Sequence, residues 1–288
     1  MPTFDTPEPI LATLEVAIGD LRIAARDRTD TTVEVRPSDP SHEPDVRIAE
    51  QTRVEMTSDG LLVKTPKGGR SALTGQRLSL FGKPGSIDVT IELPTGSRLR
   101  IDAGVAALRC TGRLADCQAK TGAGAIDLEH AGPVDLNTGA GAISAGVVSG
   151  SAEISTGTGR VRLIEIDGSA VVKNSNGETW IGAVTGNLQV SSSNGSISID
   201  RADGDVSART ANGSLRVGRI ARGLTTLKTS AGEIEIGIAA GTAALVDAQT
   251  RMGRVRNGLA VAGGAEPSDE TAEVSARTAF GDIVIRRA

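Results

Sequence analysis

One short phrase recurs through the middle of this chain at nearly constant spacing, and no other feature restricts the fold so strongly. Written Thr-x-x-Gly-x-(Ile/Val/Leu)-x-(apolar), it stands at Thr121 to Leu128, Thr138 to Ala145, Thr156 to Leu163, Thr210 to Val217 and Thr229 to Ile236. Two further copies relax the threonine to Asn174 and Ser192. The phrase glycines are Gly124, Gly141, Gly159, Gly177, Gly195, Gly213 and Gly232, with steps of 17, 18, 18, 18, 18 and 19. Out-of-phase copies follow at Gly253 and Gly281, and a second series runs Gly132, Gly150, Gly168, Gly186, Gly204 and Gly223. Each unit of about 18 residues therefore has two half-turns.

Within each half-turn apolar and polar residues alternate, as in Ile197 and Ile199 against Ser196 and Ser198, which is the pattern of a half-buried strand. A third apolar position, Val148, Ile166, Val184, Ala202 and Ile220, marks a corner. A two-strand unit cannot bury its apolar face alone, so neighbouring units must stack into a continuous core. The expected fold is all-β, a single-stranded parallel β-helix or β-solenoid. Asn176, Asn194 and Asn212, each before a phrase glycine, suit a tight turn and would align into an amide ladder. The threonine column would form a matching hydroxyl ladder.

The repeats, the preceding Ile91-Glu92-Leu93-Pro94-Thr95-Gly96-Ser97-Arg98-Leu99-Arg100-Ile101 and the closing Gly281-Asp282-Ile283-Val284-Ile285 resemble the bacterial putative-adhesin family of β-strand-repeat proteins, a domain of unknown function. The resemblance runs from about Leu14 to the C-terminus. It implies a right-handed β-helix and supplies no catalytic or ligand residues.

The domain reading is a β-rich capping region over 1–95, continuous with a repeat array over 96–288 that carries an insertion at 258–271. In the cap, Leu14, Val16 and Ile18, then Leu21 and Ile23, then Val33 and Val35 read as strands, with Gly19-Asp20 as a turn. Glu43 to Val54 reads as one short helix, because Pro44 suits a first turn and Asp45 a helix N-terminus. Leu61 to Val63 resumes strand. Leu93-Pro94-Thr95-Gly96 lies mid-chain with no apolar tail behind it and reads as a turn.

Composition narrows the function. The 288 residues carry a net charge of −4, only 1% aromatic residues and no tyrosine, so the basic surface and stacking platforms that nucleic acid requires are missing. Asp5, Glu8 and Glu15 interrupt the first twenty residues, and no apolar run approaches the roughly 18 residues of a membrane span. The expectation is a cytoplasmic chain.

One outward column stands three residues after the phrase glycine. It reads Asp127, Ser144, Arg162, Trp180, Ser198, Arg216 and Glu235, a mixture without the convergent carboxylates that glycoside cleavage needs. The copies after Asp127 also lack the aspartate of a calcium-binding β-roll. Cys110 and Cys117 align with inward positions and read as small core residues. His130 aligns with the corner of Val148 and Ile166, and His42 lies in a loop. The sequence therefore points to no enzyme, no cofactor and no metal.

The candidate contacts are of two kinds. Trp180, the sole tryptophan, lies on an outward phase with Arg162 and Arg216 in its column, and an exposed tryptophan on a rigid sheet suits a partner; Arg162 could equally stack on it. Lys64, Lys67, Arg70, Arg77 and Lys83 fall in a stretch without acids between Asp59 and Asp88, which fits an anionic partner or a solvated loop. The favoured function is a non-catalytic interaction scaffold with a protein partner, able to self-associate through the ends of the solenoid. The alternatives are an exported surface adhesin, a filament-forming protein and a polysaccharide-active β-helix enzyme.

Overall fold

A computed structural model describes residues 1–66, 85–259 and 270–288. Contacts between Cα atoms group the chain into two compact units, Met1–Ala131 and Gly132–Ala288.

The first unit contains β1 (Thr3–Asp5), β2 (Leu11–Arg26), β3 (Asp30–Pro37), α1 (Glu43–Gln51), β4 (Arg53–Thr57), β5 (Gly60–Lys64), β6 (Ile87–Pro94), β7 (Arg98–Leu114), β8 (Asp116–Ala123) and β9 (Ile126–Ala131). Its centre is the parallel pair β2 and β7, in register from Leu11 opposite Arg98 to Ala24 opposite Thr111. On one side β7 is followed by β8 and β9, also parallel. On the other, β5 and β6 lie parallel to the two halves of β2, and antiparallel β4, β3 and β1 finish that side. Antiparallel strands need only short connections, which lets a few residues close an edge that would otherwise stay open.

Gly19-Asp20 is not a turn. Strand β2 runs through it, and the inward phase passes from Leu14 and Val16 to Leu21 and Ile23. The strand bends round a corner without breaking, and Gly19 is needed because a Cβ there would lie 2.0 Å from the carbonyl oxygen of Ile87. Helix α1 stops at Gln51, and Val54 pairs with Val63 in the β4–β5 hairpin.

The second unit contains β10 (Val134–Ala140), β11 (Ile143–Ser149), β12 (Ala152–Thr158), β13 (Val161–Asp167), β14 (Ala170–Asn176), β15 (Thr179–Val184), β16 (Leu188–Asn194), β17 (Ile197–Ala202), β18 (Val206–Asn212), β19 (Leu215–Ile220), β20 (Gly223–Ala231), β21 (Ile234–Ile238), β22 (Thr242–Met252), β23 (Val255–Asn257), β24 (Glu270–Phe280) and β25 (Ile283–Arg287). They form a parallel β-solenoid with two rows. One row stacks β10, β12, β14, β16, β18 and β20; the other stacks β11, β13, β15, β17, β19 and β21. The corner residues Val148, Ile166, Val184, Ala202 and Ile220 are all buried.

The stacking order departs from the chain order at the end. Strands β24 and β25 pair with β20 and β21, and β22 and β23 pair outside them. The chain thus passes outward and returns to fill the gap it left. Coils with the same apolar pattern are interchangeable in a stack, so either order satisfies the periodicity.

The phrase glycines are set by a close backbone approach. A Cβ on Gly177 would lie 2.1 Å from the carbonyl oxygen of Gly159, and one on Gly195 2.0 Å from that of Gly177. Their φ angles, 137° and 150°, also suit only glycine. Threonine braces this corner. Thr156, Thr210, Thr229 and Thr278 donate their hydroxyls to the carbonyls of Gly141, Gly195, Gly213 and Gly232, at 3.0–3.1 Å. The expected hydroxyl ladder is therefore a set of hydroxyl-to-carbonyl bonds between coils. Asn176, Asn194 and Asn212 do form an amide ladder, with both rungs at 2.9 Å, and only glycines among the described residues have positive φ.

The two copies without threonine carry the defect this brace implies. The Asn174 amide nitrogen reaches the carbonyls of both Gly159 and Gly177, at 3.1 and 3.0 Å. Ser192, opposite Asn174 in register, is left without a partner for its hydroxyl, as is the Asn174 Oδ1. Unpaired buried polar atoms are costly. The double variant Asn174→Thr/Ser192→Thr should therefore gain about 1 kcal/mol, measured by urea unfolding; a loss of stability would contradict the brace.

Candidate functional site

The odd-numbered row carries the tryptophan. Thr179 and Ile181 are buried on either side of Trp180, so alternation turns its ring outward. The register gives a straight column of Ser144, Arg162, Trp180, Ser198, Arg216 and Glu235. The Arg162 guanidinium carbon sits 4.9 Å from the centre of the indole. Gly182 provides the floor, since a Cβ there would come 3.1 Å from the ring. Next to it Ile164 is 48% exposed. The result is a half-buried aromatic plate with one cationic side and one apolar neighbour.

Arg216 is not part of that plate. Ser198 separates it from Trp180, and it pairs with Glu235 at 3.5 Å. Glu235 also holds Arg286 at 2.8 Å. Lys64 stands in the first unit, bound to Glu15 at 2.6 Å in the β2–β5 register. Lys67, Arg70, Arg77 and Lys83 lie outside the described residues, as does most of the insertion expected at 258–271.

The cysteines are inward as expected, 2% and 0% exposed, and Cys110 stands opposite Leu128. The neighbouring Cys117 sulfur and burial together hold the Cys110 thiol well above its usual pKa. Such thiols are inert packing groups. His130 is not the corner residue. The 17-residue step moves that position to Ala131, which is 3% exposed, while the His130 side chain is 42% exposed beside Glu129. His42 precedes α1, and its Nδ1 is 2.6 Å from the buried Asp45 carboxylate, which also accepts the Ser86 and Asp39 amides. Burial alone would raise the pKa of Asp45; these three partners outweigh it and hold the group below its usual value.

A second surface escaped the sequence reading. On the even-numbered row, residues four before each phrase glycine align as Lys173, Ser191, Arg209, Lys228 and Arg277. Beside this column lies an open groove of about 510 Å³, whose lining includes Ser169, Asn187, Gln189, Asp205, Leu224 and Thr226. Side chains on its wall take backbone N–H groups of the next coil: Ser169 from Asn187, Asn187 from Asp205, and Asp205 from Leu224. The groove thus has a mixed polar and apolar lining with one acid, Asp205, and a cationic column beside it.

With the geometry in hand, comparison with known proteins decides the family. A family model described as Toastrack DUF4097 matches residues 12–286. The chain belongs to that family. A comparison with curated proteins finds no match. Among solved structures, a putative adhesin from Parabacteroides merdae is similar at 9% identity, covering 100% of this chain and 95% of its own, with a TM-score of 0.38. One from Parabacteroides distasonis has 13% identity, 99% and 95% coverage and a TM-score of 0.32. A putative cell adhesion protein from Clostridium sporogenes has 12% identity, 100% and 98% coverage and a TM-score of 0.20. Likeness at these values carries no functional inference.

The plate geometry makes Trp180 a surface residue rather than a core residue. Trp180→Ala should keep the β-type far-ultraviolet dichroism and cost about 1 kcal/mol, the scale of an exposed cation–π pair. Unfolding of that variant would contradict the outward placement.

Proposed function

We propose that this Toastrack chain is a non-catalytic interaction scaffold, adhesin-like in the sense that flat outer sheet faces bind a partner and leave it chemically unchanged. The observation that carries the reading is how several of its exposed carboxylates are used. Glu178 meets Arg160 at 3.6 Å, Glu235 meets Arg216 and Arg286, Glu153 meets Lys173 at 3.5 Å, and Asp282 meets Arg256 at 3.6 Å. Carboxylates tied to cations of adjacent coils serve stacking and solubility. A general acid needs the opposite, a carboxyl freed from cations and shielded from water.

Trp180 with Arg162 and Ile164 is the contact we assign to a protein partner, because a rigid half-buried indole loses little side-chain entropy on binding. A second reading, self-association, is favoured at the far end of the second unit. Among the described residues no strand pairs with the outer edge of β22, and Leu245, Met252 and Val255 are exposed along that coil. Open edges of this kind template further strands.

Location is a separate matter. No helix among the described residues is long and apolar enough to cross a membrane, which holds for a chain on either side of one. The cytoplasmic expectation therefore stays an expectation of the sequence.

Cross-linked capture from source cells tests the scaffold. Wild type should retain a partner that Trp180→Ala recovers about tenfold less well, the loss expected of a single hot spot. Equal recovery would remove Trp180 from the interface. Release of reducing ends from polysaccharides, with or without calcium, would overturn the non-catalytic reading.

A further inference from the structure

The cationic column on the even-numbered row stacks like charges over three strands that neighbour one another. Arg209 is in register with Lys228, and Lys228 with Arg277, so three cations stand in succession about 4.8 Å apart. Like charges directly opposite each other destabilise a sheet. Asp135 and Glu153 also meet in register, but Lys173 holds Glu153 at 3.5 Å, and where Arg201 and Arg219 meet, Asp203 holds Arg201 at 2.6 Å. Here Asp247 reaches only Arg277, at 3.3 Å, and Glu153 only Lys173, at 3.5 Å. No carboxylate among the described residues is within ion-pair distance of Arg209 or Lys228. A local choice that costs stability without compensation inside the molecule marks a functional surface.

We propose that this column and the groove beside it bind a linear acidic polysaccharide, with the carboxylates of successive sugars on Arg209, Lys228 and Arg277 and that of a sugar two coils further on Lys173. The proposal deepens the scaffold reading and rests on it. The spacing selects the partner. A nucleic-acid strand presents a charge every 3.4 Å or so along its axis, and an extended acidic peptide presents same-side residues about 6.8 Å apart. A polyuronate carries one carboxylate per sugar ring, an interval close to one coil when torsion about the glycosidic bonds turns neighbouring carboxylates to one side. The row exposes one aromatic among the described residues, Phe280 at the end of β24, where single-stranded nucleic acid uses a series of stacking faces.

The groove supplies the rest of the recognition. Gln189, Ser207 and Thr226 lie two residues before Ser191, Arg209 and Lys228 on the same strands, so they point outward beside the cations at about 6.6 Å. Their amide and hydroxyl groups can donate to and accept from sugar hydroxyls. Leu224, 47% exposed on the far wall, offers an apolar face to ring C–H groups. Asp205, the acid of the groove wall, is occupied with the Leu224 amide at 2.8 Å. The geometry gives charge recognition along one rail and sugar recognition along the other.

The test uses the full chain with oligogalacturonate as the probe, and with neutral dextran, duplex DNA and polyglutamate as comparators, read by calorimetry at low salt. Oligogalacturonate should bind, dextran should not, and binding should weaken as sodium chloride rises. Arg209→Gln/Lys228→Gln should weaken it about tenfold, the sum of two exposed charge contacts, while the thermal midpoint of the free protein stays level or rises because a repulsion is removed. Absence of oligogalacturonate binding, an unchanged affinity in the double variant, or binding of DNA or polyglutamate at least as tight would overturn the proposal. If binding fails while Trp180-dependent capture persists, only this proposal falls and the scaffold reading stands. Cleavage of the probe would take down both.

Discussion

Everything in the second unit depends on how closely one backbone corner approaches the next. At each phrase glycine the carbonyl oxygen of the previous coil occupies the space of a Cβ, with the atoms 1.9–2.2 Å from where that carbon would be from Gly159 to Gly281. The glycine N–H then reaches forward to the next coil, as Gly159 to Asn176 and Gly195 to Asn212, at 2.9 and 2.8 Å. Its carbonyl accepts the threonine hydroxyl. One residue without a side chain thereby lets three polar groups be satisfied at a corner where irregular backbone would otherwise leave them unpaired. Strand alternation buries Ile, Val and Leu on one side, and the outer face is left flat because every coil repeats the same path.

That flatness explains the functional character of the surface. A solenoid with short corners has no long loops from which to build a cleft, so its recognition elements are columns, repeating at the coil interval. Several columns set acid beside base on successive coils, as Arg160 beside Glu178 and Arg216 beside Glu235. Two others stand out. Trp180 lies under Arg162 on one row, and Arg209, Lys228 and Arg277 stack on the other. The first is a compact contact of a few residues; the second is extended and directional. They stand on different rows of the solenoid, so a partner at one need not compete with a partner at the other.

The sequence exposed the fold because a period of 18 residues with alternating burial leaves little else to build. The inward set, the Asn ladder and the outward phase of Trp180 follow from parity alone. Other features depend on offsets that parity does not fix. An 18-residue count puts His130 at a corner that the 17-residue step gives to Ala131, and Gly19-Asp20 carries a turn signal although the chain only rounds a corner there. The swap of β22–β23 with β24–β25 is invisible because both coils carry the same pattern. Threonine was expected to bond threonine, whereas the nearest acceptor is the glycine carbonyl of the preceding coil. The cationic column stands in the sequence at a fixed distance, four residues before the phrase glycines, but only the register shows which of its cations lack acids.

The central claim, that glycine corners lock successive coils together, is tested most directly by native-state hydrogen exchange at the amides of Gly159, Gly177, Gly195 and Gly213. Each donates across coils, so each should exchange as slowly as the core strands and only through global opening. Exchange at rates close to those of an unstructured loop would show that the corners are open in solution and would contradict the account.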